Sequence, residues 1–250
     1  MKKVNFYILA IVGVFLFSSC GNDTDLASKL WAELDLSAAP NTLTAGEKRA
    51  GWQLLFDGVT TSGWRGYNMP GFPHGEWSIE DGSFTVNTIG GGEEQDIITA
   101  GIYRNFAFTV EYKMVSRANS GIIFQIKEDS KYQFPYETGP EFQIMDDRDR
   151  GPTDTSHGSN YAMYAPKAQP FNPVGEWNRL LLVVKGNHVT QIVNGVELVR
   201  YEKYSDEWNT LRNSGKWEAF LDWGKFDEGH ISLQNHGTKL WFRNIKIKEL

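Results

Sequence analysis

An all-β fold of two packed antiparallel sheets is what the residues from Gly51 onward predict, and three observations carry that prediction. Short alternating segments, separated by clusters of Gly, Asn, Asp and Pro, recur to the C-terminus. In one of them, Phe106, Phe108, Val110, Tyr112 and Met114 alternate with Ala107, Thr109, Glu111 and Lys113, the period of a strand buried on one face. About a dozen such segments cannot all hide their apolar faces in one open layer, so the sheets must be two.

The elements follow in chain order. Met1-Lys2-Lys3, the apolar run Val4 to Phe17 and then Ser18-Ser19 have the charged start, apolar middle and small-residue exit of a secretory signal, over residues 1–19. Cys20, the only cysteine in the chain, comes next. That is where a bacterial lipoprotein signal keeps the cysteine that is cleaved and acylated. The exit Phe17-Ser18-Ser19-Cys20 resembles a loose lipobox with Phe in place of the usual Leu. A plain secretory signal with an accidental cysteine is the alternative. Acylation of Cys20 would leave no thiol for a disulfide, for redox chemistry or for nucleophilic attack. Nothing after residue 20 approaches the ~18 apolar residues of a bilayer span. The expected location is therefore the bacterial cell envelope, periplasmic side or outer surface, with membrane contact through the lipid alone.

Residues 20–50 mix Asn, Asp, Ser, Ala, Pro and Thr without sustained periodicity, which suits a tether, with a short helix over Lys29 to Leu36. A single domain then occupies 51–250. Its strands are expected at Trp52 to Phe56, Trp77 to Glu80, Phe84 to Thr88, Ile97 to Thr99, Phe106 to Met114, Gly121 to Lys127 and Glu141 to Met145. Further strands are expected at Arg179 to Lys185, Val189 to Val193, Val196 to Tyr201, Ile231 to Gln234 and Lys239 to Lys248. Lys185-Gly186-Asn187-His188 and Asn194-Gly195 read as hairpin turns, the second being the dipeptide that accepts positive φ at both central positions. Only short helices fit, around Asp206 to Asn213 and Trp217 to Asp222.

A formal net charge of -6 excludes the basic footprint that nucleic-acid binding demands. The nine tryptophans serve either as sugar-stacking rings or as fillers of a sandwich core. The segment Glu141-Phe142-Gln143-Ile144-Met145 is a strand with polar residues on one face: Glu141, Gln143 and Met145 point one way, Phe142 and Ile144 the other. Same-face neighbours lie roughly 6.5 to 7 Å apart, so the Glu141 carboxylate and the Gln143 amide can meet one small polar ligand such as a sugar. Gln234 and His236 repeat this shared-face pattern near the C-terminus. The long polar loop 146–164 holds His157, a candidate general acid or base by its reference pKa, and Tyr161. Asp146, Asp147, Asp149 and Asp154 in that loop read either as a hard-cation site or as a solvated acidic stretch. Asn119 precedes the strand that carries Gln125, and it either turns the chain or lines the site.

Several motifs taken together resemble the 3-keto-disaccharide hydrolase family, a domain formerly of unknown function. They are Trp52-Gln53-Leu54-Leu55-Phe56-Asp57-Gly58 with Gly63-Trp64, then Asn119-Ser120-Gly121-Ile122-Ile123-Phe124, and Glu141-Phe142-Gln143-Ile144-Met145-Asp146. Gly175-Glu176-Trp177-Asn178, Asn194-Gly195, Ile231-Ser232-Leu233-Gln234-Asn235-His236-Gly237 and Phe242-Arg243-Asn244-Ile245 complete the set. The resemblance implies a jelly-roll sandwich of the concanavalin and glucanase kind, acting on glycosides oxidised at carbon 3. It points to Asn119, Glu141, Gln143, Asp146 and His236 as site-lining. Gln125 departs from the family, in which Arg stands in many members, and His157 falls in a variable insert.

A ketone at carbon 3 acidifies the hydrogen on carbon 2, and its removal lets the carbon-1 substituent leave. The expected roles are Glu141 or His236 as base, Gln143 and Asn119 on the keto and hydroxyl groups, and His157 or Asp146 on the leaving oxygen. A divalent metal held by Glu141, Asp146 and a histidine is the alternative polariser. No cofactor is required otherwise. The expected partners are a small 3-keto-glycoside and, functionally, a sugar 3-dehydrogenase that makes the keto group. Two other readings stand beside this one. A retaining glucanase uses a Glu-x-Asp-x-x-Glu strand, which is here Glu141-x-Gln143-x-x-Asp146 with an amide in the centre. A non-catalytic glycan-binding lipoprotein would use Glu141 only to hold hydroxyls.

Overall fold

The computed structural model describes residues 21–87, 95–147 and 149–250. The signal-like segment and Cys20, the expected lipidation position, lie outside the described residues. Among the described residues no helix is long and apolar enough to cross a membrane.

Two antiparallel sheets face each other. In chain order the strands are β1 (Gln53–Leu54), β2 (Trp64–Gly66), β3 (Trp77–Glu80), β4 (Ser83–Val86), β5 (Ile97–Thr99), β6 (Phe106–Met114) and β7 (Asn119–Ile126). They continue as β8 (Glu141–Met145), β9 (Asn178–Lys185), β10 (His188–Val193), β11 (Val196–Glu202), β12 (His230–Leu233) and β13 (Leu240–Glu249). The eight-stranded sheet runs β11-β10-β9-β6-β13-β4-β3, with β1 added on β13, and the five-stranded sheet runs β2-β5-β12-β7-β8. Between them Phe106, Phe108, Val110 and Tyr112 of β6 meet Ile122 and Phe124 of β7, Phe142 and Ile144 of β8, and Ile231 and Leu233 of β12. This is the two-sheet sandwich the alternation predicts, and the Asn194-Gly195 turn takes positive φ at both residues, 49° and 83°.

The expectation of a loose tether over residues 20–50 is corrected by the packing. Helices α1 (Gly21–Ala32) and α2 (Ala45–Ala50) flank a segment that lies on the outer face of the larger sheet. Ala27, Leu30, Leu34 and Trp52 pack there on Ala107, Leu181, Val183 and Ile192. Thr44 caps α2 reciprocally with Glu47. The Glu47 carboxylate is itself buried and holds Lys246 Nζ of β13 at 2.6 Å. So β6 is buried on both faces, Ala107 and Thr109 included, where the alternation alone assigned one face to solvent. The unbroken run Leu180-Leu181-Leu182-Val183-Val184 in β9 is the sequence's trace of that second cover.

Three smaller differences bear on the site. Strand β2, too short and glycine-ended to read as a strand, pairs with β5. Strand β12 stops at Leu233, which leaves Gln234 and His236 beyond its end. The helix expected over Trp217 to Asp222 is a 3-10 turn, Lys216–Ala219, following α3 (Asp206–Arg212). At the outer edge of the smaller sheet, β8 is not left bare. Gln143 N donates to Ser159 O at 3.1 Å, Gly158 N to Gln143 O at 2.9 Å and Tyr161 N to Glu141 O at 3.0 Å. The loop after β8 thereby takes up the edge's free backbone groups and brings Tyr161 alongside Glu141.

Candidate active site

The alternation of β7 and β8 sends Ile122, Phe124, Phe142 and Ile144 into the core and turns Gly121, Glu141 and Gln143 to the outer face of the smaller sheet. There they floor a cavity of about 190 Å³ lined by Asn119, Tyr136, Glu141, Gln143, Tyr161, Lys216, Gln234 and His236. Gly121 pairs with Gln143 in register, and its missing side chain is what admits the carboxylate. A Cβ on residue 121 would stand 2.8 Å from Glu141 Cγ and 3.0 Å from Cδ, tighter than side chains tolerate.

Glu141 is 5% exposed. Its hydrogen-bond neighbours fix the Gln143 amide with the nitrogen towards the carboxyl, donating to Glu141 Oε1 at 2.8 Å and to Ser120 O at 2.9 Å. Burial pushes the Glu141 carboxyl up to about 7, against the opposing pull of the Lys216 ammonium. Crowding lowers Lys216 in turn, while Glu141 pulls it back up. Gln234 is held by its backbone, donating N–H to Gly121 O at 3.0 Å and accepting Ser120 Oγ on its carbonyl at 2.7 Å. Its buried side-chain oxygen has no partner among the described residues. The cavity therefore offers one buried protonatable carboxyl, three amides, a histidine, an ammonium and two tyrosine rings.

A second cavity of about 180 Å³ shares Tyr136, Gln234 and His236 with the first and adds Asp96, Phe134 and Asn235. Phe134 stacks on Tyr136, ring centroids 5.2 Å apart. His236 thus stands at the junction of two compartments. A third groove, about 550 Å³, begins at Asn119 and Met145 and runs along Ser116, Arg117, Asp146, Asp147, Asp149 and Arg150.

Three of the candidates read from the sequence are elsewhere. His157 is buried, its Nε2 2.7 Å from Tyr112 Oη and its ring stacked on Phe171 at 3.7 Å. That is a packed position behind β8, not a solvated loop and not the cavity wall. Asp146 lies in the third groove, where its Oδ2 accepts Arg117 N at 2.8 Å and Ser116 Oγ at 3.3 Å. Gln125, in left-handed backbone at φ 53°, is buried; its amide nitrogen donates to Asp227 O and its oxygen accepts Lys203 Nζ, at 2.7 and 2.8 Å. Among the described residues no three His, Cys, Asp or Glu side chains converge to hold a metal ion, so the ligand set Glu141, Asp146 and a histidine is not assembled. The rings at the cavity are tyrosines; Trp52, Trp64, Trp77, Trp208, Trp217 and Trp223 are core. Lys216 and Tyr136 carry no sequence signal because each sits in a short 3-10 turn with no strand periodicity to mark it, Tyr136 just before Glu141 and Lys216 far along the chain from it.

A β-sandwich that bears a small polar cavity of this kind on one sheet belongs chemically with proteins that handle sugars. Residues 51–248 match the 3-keto-alpha-glucoside-1,2-lyase-like domain, and the chain belongs to that family. A 3-keto-disaccharide hydrolase of Bacteroides thetaiotaomicron is 31% identical over 229 residues, covering 80% of this chain and 79% of the relative. Two crystal structures from Parabacteroides distasonis, both of proposed glycosyl hydrolases, share the fold. One has TM-score 0.77 at 38% identity, over 85% of this chain and 100% of that one. The other has TM-score 0.61 at 27% identity, over 80% and 99%.

Proposed function

We propose that this protein cleaves the glycosidic bond of 3-keto-glycosides by elimination, with Glu141 as the base. The observation that carries this reading is the Glu141 carboxyl, buried over Gly121, aimed into a sugar-sized cavity and raised to about 7. A carboxylate so desolvated is a stronger base than a solvated one and still half ionised near neutrality. It removes the C2 hydrogen, the C3 oxygen takes the charge, and the pair returns to expel the C1 oxygen, which is protonated by His236 at the junction with the second cavity. Asn119, Gln143 and Gln234 hold hydroxyls. Water added to the resulting enone completes hydrolysis; release of the enone makes the protein a lyase.

The family and the named relative support the substrate class. A retaining glucanase needs a second carboxyl about 5 to 5.5 Å from the first. Here Glu141 is the one carboxylate lining the cavity, and Asp146 is engaged in the groove beyond. The test is release of aglycone from a chromogenic 3-keto-glucoside and from its unoxidised parent, with and without chelator. Release from the keto form alone, with kcat/KM rising through about pH 7 as Glu141 ionises, is expected. Release from the parent sinks the elimination, and silence with both leaves a binding module.

The expected setting is the cell envelope, with Cys20 acylated and a sugar 3-dehydrogenase upstream to supply the ketone. The signal-like start of the chain supports the anchor. Cys20→Ser should move the protein from the detergent phase to the aqueous phase of a Triton X-114 partition; an unchanged partition removes the lipid from the account.

A further inference from the structure

Lys216 opens the 3-10 turn Lys216–Ala219 at the rim of the cavity and is exposed, yet its place is set by the core. The next residue, Trp217, is fully buried, stacks on Trp223 at 4.5 Å between centroids and donates its indole N–H to Tyr161 O at 2.9 Å. The Lys216 Nζ lies 4.5 Å from the centroid of Tyr161, 4.6 Å from Trp217 and 5.4 Å from Tyr136. Two of those rings line the cavity. Three ring faces within about 6 Å attract a cation and so favour the ammonium form. Among the described residues no hydrogen bond or ion pair takes up that ammonium. Glu141 acts on it through the cavity.

Elimination is helped by a hydrogen-bond donor or a positive charge where the C3 oxygen becomes an enolate. The Gln143 amide cannot supply its donors there, because both are turned to Glu141 and Ser120. His236 lines both cavities and is already engaged as the acid for the C1 oxygen. Among the groups lining the cavity, Lys216 is the one that brings an ammonium.

We propose that Lys216 is the catalytic residue that polarises the C3 ketone: its ammonium donates to the keto oxygen and carries the charge of the enolate formed when Glu141 removes the C2 proton. This assignment rests on the reading of the cavity as a 3-keto-glycoside site. In the step the C2–H bond breaks, its electron pair forms the C2–C3 double bond, and the former C=O π pair moves onto the oxygen facing Lys216. The pair then returns to restore the ketone as the C1–O bond breaks. Lys216 neither gains nor loses a covalent bond.

The experiment compares wild type, Lys216→Met and Lys216→Arg on a chromogenic 3-keto-glucoside, with melting temperatures measured alongside. Lys216 is exposed, so the variants are expected to fold with unchanged melting temperature. Removing a preorganised charge partner of a developing oxyanion costs on the order of 100- to 1000-fold in kcat. Lys216→Met should show a loss of that size with KM changed only a few-fold, and Lys216→Arg should recover part of it. Wild type active and Lys216→Met within about threefold overturns the assignment while leaving the parent reading intact. A wild type inert on the keto substrate ends both. Incubation of wild type with the substrate and cyanoborohydride should leave Lys216 unmodified by mass spectrometry; a reduced adduct on Lys216 would overturn the ammonium role in favour of an imine.

Discussion

Replacing Glu141 by glutamine should stabilise the protein in alkaline solution and leave it unchanged in acid. The carboxyl is 5% exposed, and burial moves its pKa from 4.5 to about 7. A carboxyl with a raised folded pKa holds its proton more tightly in the folded chain than in the unfolded one. Stability is therefore intact below about pH 4.5, falls as pH climbs towards about 7, and stays reduced above it. At about 1.4 kcal/mol per pKa unit, the rise from 4.5 to about 7 amounts to about 3 kcal/mol. Glutamine carries no charge and keeps a carbonyl oxygen for the Gln143 amide, so it escapes the whole penalty. For a chain of this size each kcal/mol is roughly 2–4 °C in Tm, giving a gap of about 6–12 °C. Thermal unfolding of both proteins by circular dichroism, at about pH 4 and about pH 8.5, should show matched curves in acid and the separated pair in alkali. Coincident curves at both values, or a less stable variant in alkali, would mean that the carboxyl is solvated or paired, and the argument for Glu141 as a strengthened base would fall with it.

Gly121→Ala should cost on the order of 100-fold in kcat with little change in melting temperature, since the new Cβ displaces the Glu141 carboxylate by about an ångström and leaves the core untouched; full activity would show the close approach to be incidental. His157→Ala should lose about 2–4 kcal/mol in urea unfolding, from the orphaned Tyr112 hydroxyl and the gap beside Phe171, while the folded fraction keeps kcat within a few-fold. A large kcat loss there would return the histidine to the chemistry. Glu47→Ala should lose about 3–5 kcal/mol because Lys246 is left charged and buried, and adding Lys246→Met should recover most of it. A small loss in the single variant would mean that the N-terminal segment is not docked in solution.

The sheets were legible because alternation reports burial directly: β3, β5, β6 and β8 begin and end where the pattern does. What alternation could not report is a second cover on a strand. The Ala107 face of β6 reads as polar because Thr109, Glu111 and Lys113 share it, and the helices that bury its Ala107 end come from residues whose composition reads as a linker. In the site, Glu141 and Gln143 were legible for the converse reason, being polar residues on a strand whose other face is Phe142 and Ile144. His157 misled because a histidine amid Asp, Ser and Gly resembles a solvated one, and its partners Tyr112 and Phe171 lie 45 and 14 positions away.

The cavity collects features that folding alone disfavours. Among the described residues a carboxyl is buried without a salt-bridge partner, a side-chain oxygen of Gln234 has no partner, and an exposed lysine is held over three rings with no acceptor on its ammonium. The first two cost stability, and a sequence shaped by stability alone would have removed them. Elsewhere the same chain satisfies comparable groups: Glu47 meets Lys246, Glu111 meets Arg179 and Arg243, and Lys203 meets Gln125. Single unpartnered buried atoms also occur elsewhere, as at Tyr164 and Gln191, but the cavity is where one of them lies with a buried carboxyl and an ammonium. There the set comprises a base whose strength comes from desolvation, a hydrogen-bond acceptor suited to a hydroxyl, and a cation opposite the base. Those three requirements are what α-proton removal from a keto sugar imposes, and the cost of holding them together is the reason the site reads as chemistry and not as packing.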